Sequence, residues 1–407
     1  VMDNLNYAAF AAPAFFFFLF LEYMLARRQK KAHLFNYEGS VANISIGIAE
    51  RLLNLFVSVG FYRLYEWVYA NYAIFDIPKT WWVWLLLLLA TDLAWYWYHR
   101  LGHEINFLWA AHIVHHQSDE FNFTVSARIT TLQAAVRTLF WCALPLLGFA
   151  PVMVMTILVV HGAYSFFTHT QMIPRVRWLE YVLVTPSIHG IHHASDEKYL
   201  DKNFGDVFVC WDMLFGTYKR EEEPPRYGLT HPLKSYSFLW QHFHYYLEIA
   251  EAFRRARTVK AKWNAVFGNP AGMDQNIRPL LEERWLQNRG AQIYKYKFRG
   301  YINLQLVISV VLLLALTLFY AYVDVIAASC VLCFILLTLI NIGALLEQRQ
   351  WIYYLECFRL ILVSGYVLYI AGLPELALLP TVLLIVLERT FELGRYYRKY
   401  VLRYEPK

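Results

Sequence analysis

Residues 81–116 read WWVWLLLLLATDLAWYWYHRLGHEINFLWAAHIVHH, an apolar run that ends in histidines. A helix needs roughly 20 apolar residues to cross a hydrocarbon core, and Trp81–Tyr98 supplies a span interrupted by a single acid, Asp92. His99 and His103 follow at HxxxH spacing, then His112, His115 and His116 at HxxHH spacing. Downstream, His189, His192 and His193 repeat HxxHH. Side chains three and four residues apart lie on one helix face, so each group points in one direction. The stretch predicts an all-α polytopic membrane protein whose helices carry imidazoles at one end.

Composition points the same way. Of 407 residues, 58% are hydrophobic, 18% aromatic and only 17% charged, where a soluble domain runs at about 45–50% apolar and about 25% charged. A disordered chain and a disulfide-rich secreted scaffold are both excluded. The cysteines number five, and Cys142, Cys330, Cys333 and Cys357 sit in apolar runs, where they read as small hydrophobes. The net charge of +6 matters less than its placement, and no nucleic-acid partner is expected.

Working outward, the apolar runs are Ala8–Leu25, Val41–Ala70, Trp81–Tyr98, Leu132–Leu147, Val152–Thr168, Ile302–Tyr322, Val325–Leu346, Ile352–Ala371 and Glu375–Glu388, roughly nine spans. Glu50, Arg51, Arg63 and Glu66 interrupt the second, which reads as tilted or partly interfacial. Pro145, Gly148 and Pro151 mark a tight turn between the fourth and fifth. No small-residue cleavage site precedes Arg27–Lys31, so the first run reads as an anchor, and Val1 ahead of Met2 reads as an expression remnant. With loops assigned alternately to the two sides, nearly all lysines and arginines fall on one, which the positive-inside rule makes cytoplasmic. Residues 1–263 then form a catalytic membrane part, 264–300 a cytoplasmic surface linker, and 301–407 a four-helix membrane part with almost no polar chemistry inside. Trp240–Phe253 reads as an amphipathic interfacial helix. The compartment is the endoplasmic reticulum for a eukaryotic source and the cytoplasmic membrane for a bacterial one.

Eight of the fourteen histidines lie in the three groups. One metal takes about six ligands at most, and zinc usually four, so eight converging imidazoles imply two metals. Imidazole suits iron, zinc, copper and nickel alike. His169, at the same end of its span, is a ninth candidate, whereas His161, about two turns deeper, reads as a satisfied core histidine. His33, His231, His242 and His244 read as surface or interfacial. His103-Glu104 begins like the zinc-hydrolase HExxH, but Phe107 occupies the last position. Glu104 either orients a neighbouring imidazole or pairs with Arg100 or Arg128. Asp196, Asp201 and Asp212 either bond the outer nitrogens of ligand histidines or are solvated loop carboxylates. Asn203, Gly205, Trp211, Asp212 and Gly216 are expected to fold a cap under the site. Trp95–Tyr98, Trp109, Phe121 and Phe123 line a channel or, for Trp95–Tyr98 in preference, form an aromatic belt at the membrane surface. A His-lined transporter would spread its histidines and acids through the membrane depth, and here they share one layer.

The three motifs in this order resemble the fatty acid hydroxylase / sterol desaturase superfamily of integral-membrane, non-haem di-iron oxygenases. Within it, residues 99–122, 185–218, 227–232 (YGLTHP) and 343–359 (GALLEQRQWIYYLECFR) are most similar to the alkylglycerol monooxygenases. The resemblance implies that His99, His103, His112, His115, His116, His189, His192 and His193 bind two iron ions and that Glu104 is needed for activity. It also implies O2 and tetrahydrobiopterin as co-reactants and a membrane ether lipid as substrate. Hydroxylation of the O-alkyl carbon would release a fatty aldehyde and a glycerol derivative. Sterol or fatty-acyl hydroxylation or desaturation is the alternative, because ligand spacing is common to all of them. Two positions on the His169 span depart from the family pattern, His161 replacing asparagine and Ser165 replacing glutamine. No residues are singled out for lipid or pterin binding.

Overall fold

The computed structural model describes residues 5–286 and 298–401. Its described residues form helices and loops, with no strand and only two isolated bridges, Leu183 to Phe208 and Ala194 to Tyr227. They fall into two compact units, one of Phe15–Lys234 with residues 241–286, the other of residues 5–14, 235–240 and 298–401.

The first unit is built from α1 (Ala11–Arg28), α2 (Tyr37–Tyr72), α3 (Trp81–Glu104), α4 (Asn106–His116), α5 (Phe123–Ser126), α6 (Thr131–Trp141), α7 (Ala143–Leu147), α8 (Pro151–Thr168), α9 (Pro186–His192), α10 (Cys210–Leu214), α11 (Phe238–Arg255), α12 (Val259–Phe267) and α13 (Ile277–Leu286). The first residues of α1 and of α11 are grouped with the other unit. The starts are chemically marked. Asn36 accepts from the amides of Glu38 and Gly39, Thr130 from Gln133 and Thr185 from Ile188, each satisfying a donor that the first helical turn leaves open. Pro186 and Pro151 occupy first-turn positions, where a missing N–H costs nothing. The main apolar core joins Leu87, Trp95 and Tyr98 of α3 to Trp141, Leu144, Met153, Val154 and Ile157.

The second unit comprises α14 (Arg299–Leu318), α15 (Val325–Leu346), α16 (Ile352–Ile370), α17 (Leu379–Phe391) and α18 (Leu393–Tyr396). Residues 235–240 join it because Glu347 accepts from the Ser235 hydroxyl at 2.6 Å and the Tyr236 amide at 2.9 Å. Its interior is more polar than expected. Glu356 accepts from the Tyr301 hydroxyl at 2.7 Å, the Asn341 amide at 2.6 Å and Arg359 Nη1 at 2.9 Å. Gln305 and Asn341, which bond to it, are buried, as are Ser309 and Thr338 in the same unit. Hydropathy alone hid this network, because each polar residue is isolated in an apolar run.

Among the described residues, six helices are long and apolar enough to cross a membrane: Ala8–Arg28, Tyr37–Tyr72, Pro151–Thr168, Arg299–Leu318, Val325–Leu346 and Ile352–Ile370. The chain is a multi-pass membrane protein. The expected count of nine is not matched, for three local reasons. Helix α3 has 24 residues, but its tryptophans, tyrosines and Asp92 lower its hydropathy. The 132–147 run breaks at Cys142 into α6 and α7, and the last run shortens to the 13 residues of α17. Part of the stretch read as a surface loop is also helical. Ile277 and Leu281 of α13 are buried, and Arg278 donates to Glu248 at 2.6 Å; residues 287–297 of that stretch lie outside the described residues. Helix α11 is amphipathic, with Gln241, His244, Tyr245 and Glu248 buried and Leu239, Phe243 and Leu247 exposed.

The α7–α8 turn depends on Gly148, whose φ is 110° and whose Cβ, if present, would lie 1.9 Å from the Phe75 carbonyl oxygen. Strain of that kind costs about 1–3 kcal/mol before the clash is counted. Gly148→Ala is therefore expected to lower the melting temperature of the detergent-solubilised protein by several degrees; an unchanged melting curve would refute the close approach.

Candidate metal centre

Nine histidines converge from four segments of the first unit. The extended residue Ile105 (φ −124°, ψ 121°) separates α3 from α4, so that α4 folds back and turns its histidines toward those of α3. His169 caps the end of α8, and α9 ends at His192 and His193. The ligand-capable nitrogens form two sets: His99, His103, His112, His116 and His192 in one, His115, His169, His189 and His193 in the other. Within each set these atoms all lie within 4.8 Å of one another. The sets adjoin, with the His116 and His193 rings stacked at a centroid distance of 4.4 Å.

The inner nitrogens approach closely. In the first set, Nε2 of His112 lies 3.0 Å from Nε2 of both His99 and His116. In the second, Nε2 of His169 lies 3.2 Å from that of His115 and 3.0 Å from that of His189, which is 3.2 Å from that of His193. Buried Nε2 atoms of His103 and His192 meet no hydrogen-bond donor or acceptor among the described residues. A neutral imidazole holding its proton on Nδ1 turns a lone pair inward. Lone pairs packed this closely suit a cation between them, so the donor set fits two metal ions. Burial, reinforced by neighbouring imidazoles, holds His112, His115, His116, His189, His192 and His193 well below the ordinary histidine range. Burial also pulls His169 down to about 4. Neutral rings are the ligating form.

Several outer nitrogens are anchored. His99 Nδ1 donates to the Phe204 carbonyl at 2.8 Å, His192 Nδ1 to the Lys202 carbonyl at 2.9 Å and His169 Nδ1 to the Ser165 carbonyl at 2.7 Å. His103 Nδ1 lies 3.3 Å from Asp201, and His112 Nδ1 lies 3.1 Å from the Gln133 side-chain amide, whose otherwise unpartnered oxygen accepts the Nδ1 proton when the amide is turned over. Such partners set the tautomer and aim the inner nitrogen. Phe204 packs its ring on His99, His103 and His192, and Phe121 packs on His169, His189 and His193. Arg128 is buried and donates to the Val114 carbonyl at 2.7 Å, to Asn43 at 2.8 Å and to Gln241 at 2.8 Å. Its cation caps the carbonyl end of α4, and burial lowers its guanidinium to about 9.

Other expected residues stand differently. Glu104 touches no imidazole among the described residues. It accepts from Arg100 Nε at 2.9 Å and is half-exposed, so the ion-pair reading replaces the orienting one. Asp196 turns away to the Arg226 amide and guanidinium, at 2.7 and 2.8 Å. Asp212 acts through backbone, accepting from the Phe204 and Gly205 amides at 2.7 and 2.8 Å. Asn203 likewise donates to the Ile188 and Lys219 carbonyls at 3.0 and 2.7 Å. His161 is buried between Asp92 at 3.0 Å and Asp206 at 2.8 Å. His244, read as a surface or interfacial residue, is fully buried near Glu248. Trp95, Tyr96 and Tyr98 are buried and only Trp97 is exposed, so they are not a surface belt; packing against His99, Phe215 and His112 draws them inward. Gln133 and Arg128 were missed. A lone glutamine inside an apolar helix was the available signal, since polar groups there face the interior.

The lowered histidines give a pH dependence with a fixed sign. Below the ordinary value of 6.5 the unfolded chain takes up protons that the folded, metal-free rings refuse, so stability falls as pH falls. For His169 this loss continues down to about pH 4. The melting temperature of metal-free protein is expected to drop steadily from pH 6.5 to pH 4.5. A flat profile would contradict neutral burial.

The fatty acid hydroxylase family model matches residues 84–217, a range that holds all nine histidines. Alkylglycerol monooxygenase of Homo sapiens is 31% identical over 364 residues, covering 87% of this chain and 81% of that protein. The Xenopus tropicalis alkylglycerol monooxygenase is 29% identical over 374 residues, 89% and 82% of the two chains. Ornithine lipid hydroxylase OlsE of Rhizobium tropici is 30% identical over a shorter 151 residues, 36% of this chain and 44% of that one. No solved structure matches. By the extent of its likeness to the human protein, across both membrane parts, this chain belongs to the alkylglycerol monooxygenase family.

Proposed function

We propose that the chain is a membrane di-iron monooxygenase that hydroxylates the O-alkyl carbon of ether lipids such as alkylglycerols. One observation carries the reading: nine imidazoles, eight of them buried, gathered in two sets whose ligand-capable nitrogens crowd together, on a chain of this family. His99, His103, His112, His116 and His192 would hold one iron, and His115, His169, His189 and His193 the other. Imidazoles bring no negative charge, so they would leave the ions' formal charge uncancelled.

When bound, the iron pair would supply activation of O2 and insertion of one oxygen atom into the C–H bond beside the ether oxygen, the second atom leaving as water with two electrons from tetrahydrobiopterin. The hydroxylated product is a hemiacetal. Its C–O bond breaks as the hydroxyl proton passes to the departing oxygen, giving a fatty aldehyde and a glycerol derivative. The protein's own part is positional. Loop atoms of Asp201, Lys202 and Phe204 face three rings, and Phe204, Phe121 and Trp109 wall the rings with apolar surface that excludes water. Glu104 would act on this site through Arg100, which also donates to the Tyr96 hydroxyl at 3.1 Å. The positive-inside reading sets the histidine end on the cytoplasmic face, of the endoplasmic reticulum or of a bacterial inner membrane.

The test is purified, iron-loaded protein given tetrahydrobiopterin, O2 and a lipid panel, with products identified by mass spectrometry. Aldehyde from an O-alkyl glycerol, abolished in His115→Ala, is the expected outcome. Product from sterols or acyl chains alone would move the assignment to a sterol or fatty-acyl hydroxylase. Full activity in His115→Ala would end both readings.

A further inference from the structure

The two sets of imidazoles are held unequally. In the five-histidine set, four outer nitrogens face a partner: His99 with Phe204, His192 with Lys202, His103 with Asp201 and His112 with Gln133. In the four-histidine set, His169 meets the Ser165 carbonyl, His115 faces the Arg128 backbone without the close, aligned geometry of the other anchors, and Nδ1 of His189 is buried without a hydrogen-bond partner among the described residues. A ring with no outer partner can carry its proton on either nitrogen and can swing about its χ2 bond. It must be fixed in both respects when a metal arrives.

Three of the four anchors come from one short run, Asp201–Phe204. Asp201 and Asn203 both adopt positive φ, 54° and 57°, so the run is kinked and depends on its surroundings. Asp212 clamps it through the Phe204 and Gly205 amides. The other clamp is Asp92, fully buried in α3. Its carboxylate accepts from the Val207 amide at 2.9 Å, the Phe208 amide at 3.0 Å and Trp211 Nε1 at 3.1 Å. His161 bridges Asp92 and Asp206, and all three are at most 2% exposed. Gly205 allows the fit, since a Cβ there would lie 2.5 Å from the Phe208 carbonyl oxygen.

Resting on the di-metal reading above, we infer that the five-histidine position grips its metal more tightly than the four-histidine position, and that Asp92 is a positioning residue for the tighter one alone. Asp92 acts through the 201–208 loop, three of whose atoms orient His99, His103 and His192. None of the four-histidine set bonds to this run among the described residues. Loss of an outer partner typically weakens a metal site about 10–100-fold.

The experiment is iron release from the full chain in detergent, loaded with 57Fe and challenged with a chelator, alongside Mössbauer spectra. The wild type should lose one iron at least about tenfold faster than the other. His169→Ala should remove the fast phase and His103→Ala the slow one. Asp92→Asn keeps one acceptor oxygen but turns an NH2 toward N–H donors. It should speed the slow phase about tenfold or more, leave the fast phase alone, and alter one of two Mössbauer doublets. Trp211→Phe, which removes a single bond to Asp92, should do the same more weakly and serves if Asp92→Asn fails to fold. Single-phase loss of two irons from the wild type would overturn the unequal grip. Equal acceleration of both phases by Asp92→Asn would make Asp92 merely structural and overturn its role. Protein that binds fewer than two metals would strike the di-metal reading itself, a result distinct from two irons released together.

Discussion

Buried imidazole lone pairs held about 3 Å apart are the constraint to which the rest of the first unit answers. Left to themselves such rings would separate or take up protons, and burial closes both routes. Protonation is opposed because a buried cation loses its hydration, and the neighbouring rings would add repulsion. Separation is opposed because the rings stand at the ends of helices packed by a core of large residues, from Leu87 and Tyr98 to Trp141 and Ile157. The fold thereby stores an unfavourable arrangement of dipoles that a cation converts into a favourable one.

That storage needs rigid backing, and the chain supplies it mostly from backbone rather than from acidic side chains. Carbonyls of Ser165, Lys202 and Phe204 each receive an outer N–H, while among the described residues Asp201 is the one acid that faces an outer nitrogen of the nine histidines. A carbonyl backs an imidazole without adding a full charge, so on the proposed reading the ions' charge would not be cancelled by their backing. Charged side chains nearby are instead met by hydrogen bonds. Asp92 and Asp206 flank His161, and Arg128 spreads its donors over Val114, Asn43 and Gln241.

The grouping of histidines was legible because metal ligation from helices demands i, i+3 and i, i+4 spacing, which survives any rearrangement of the helices themselves. The helical class and the multi-pass character were legible from apolar runs. The backing was not. A carbonyl acceptor leaves no mark in a sequence, so Lys202 and Phe204 contribute through atoms that every residue possesses. Carboxylates misled for the opposite reason: Asp196, Asp201 and Asp212 look equivalent in a polar loop, yet Arg226 captures the first, His103 the second and two backbone amides the third. The Glu356 network in the second unit was hidden among long apolar runs, and Trp95–Tyr98 look like a surface belt until packing against the histidines is known.

The same packing bears on how an oily substrate is handled. On the proposed function, the C–H bond beside the ether oxygen would carry no charge and offer no hydrogen bond, so recognition at the reacting carbon would rest on shape and on the exclusion of water. Phe121, stacked on Tyr227 at 4.9 Å and packed on His169, His189 and His193, and Phe204 against three further histidines provide apolar surface on two sides of the imidazoles. A hydrated cavity there would hydrate the lone pairs and relieve the crowding that favours metal. On the proposed function the aromatic enclosure would therefore serve ligation and an alkyl chain by one means.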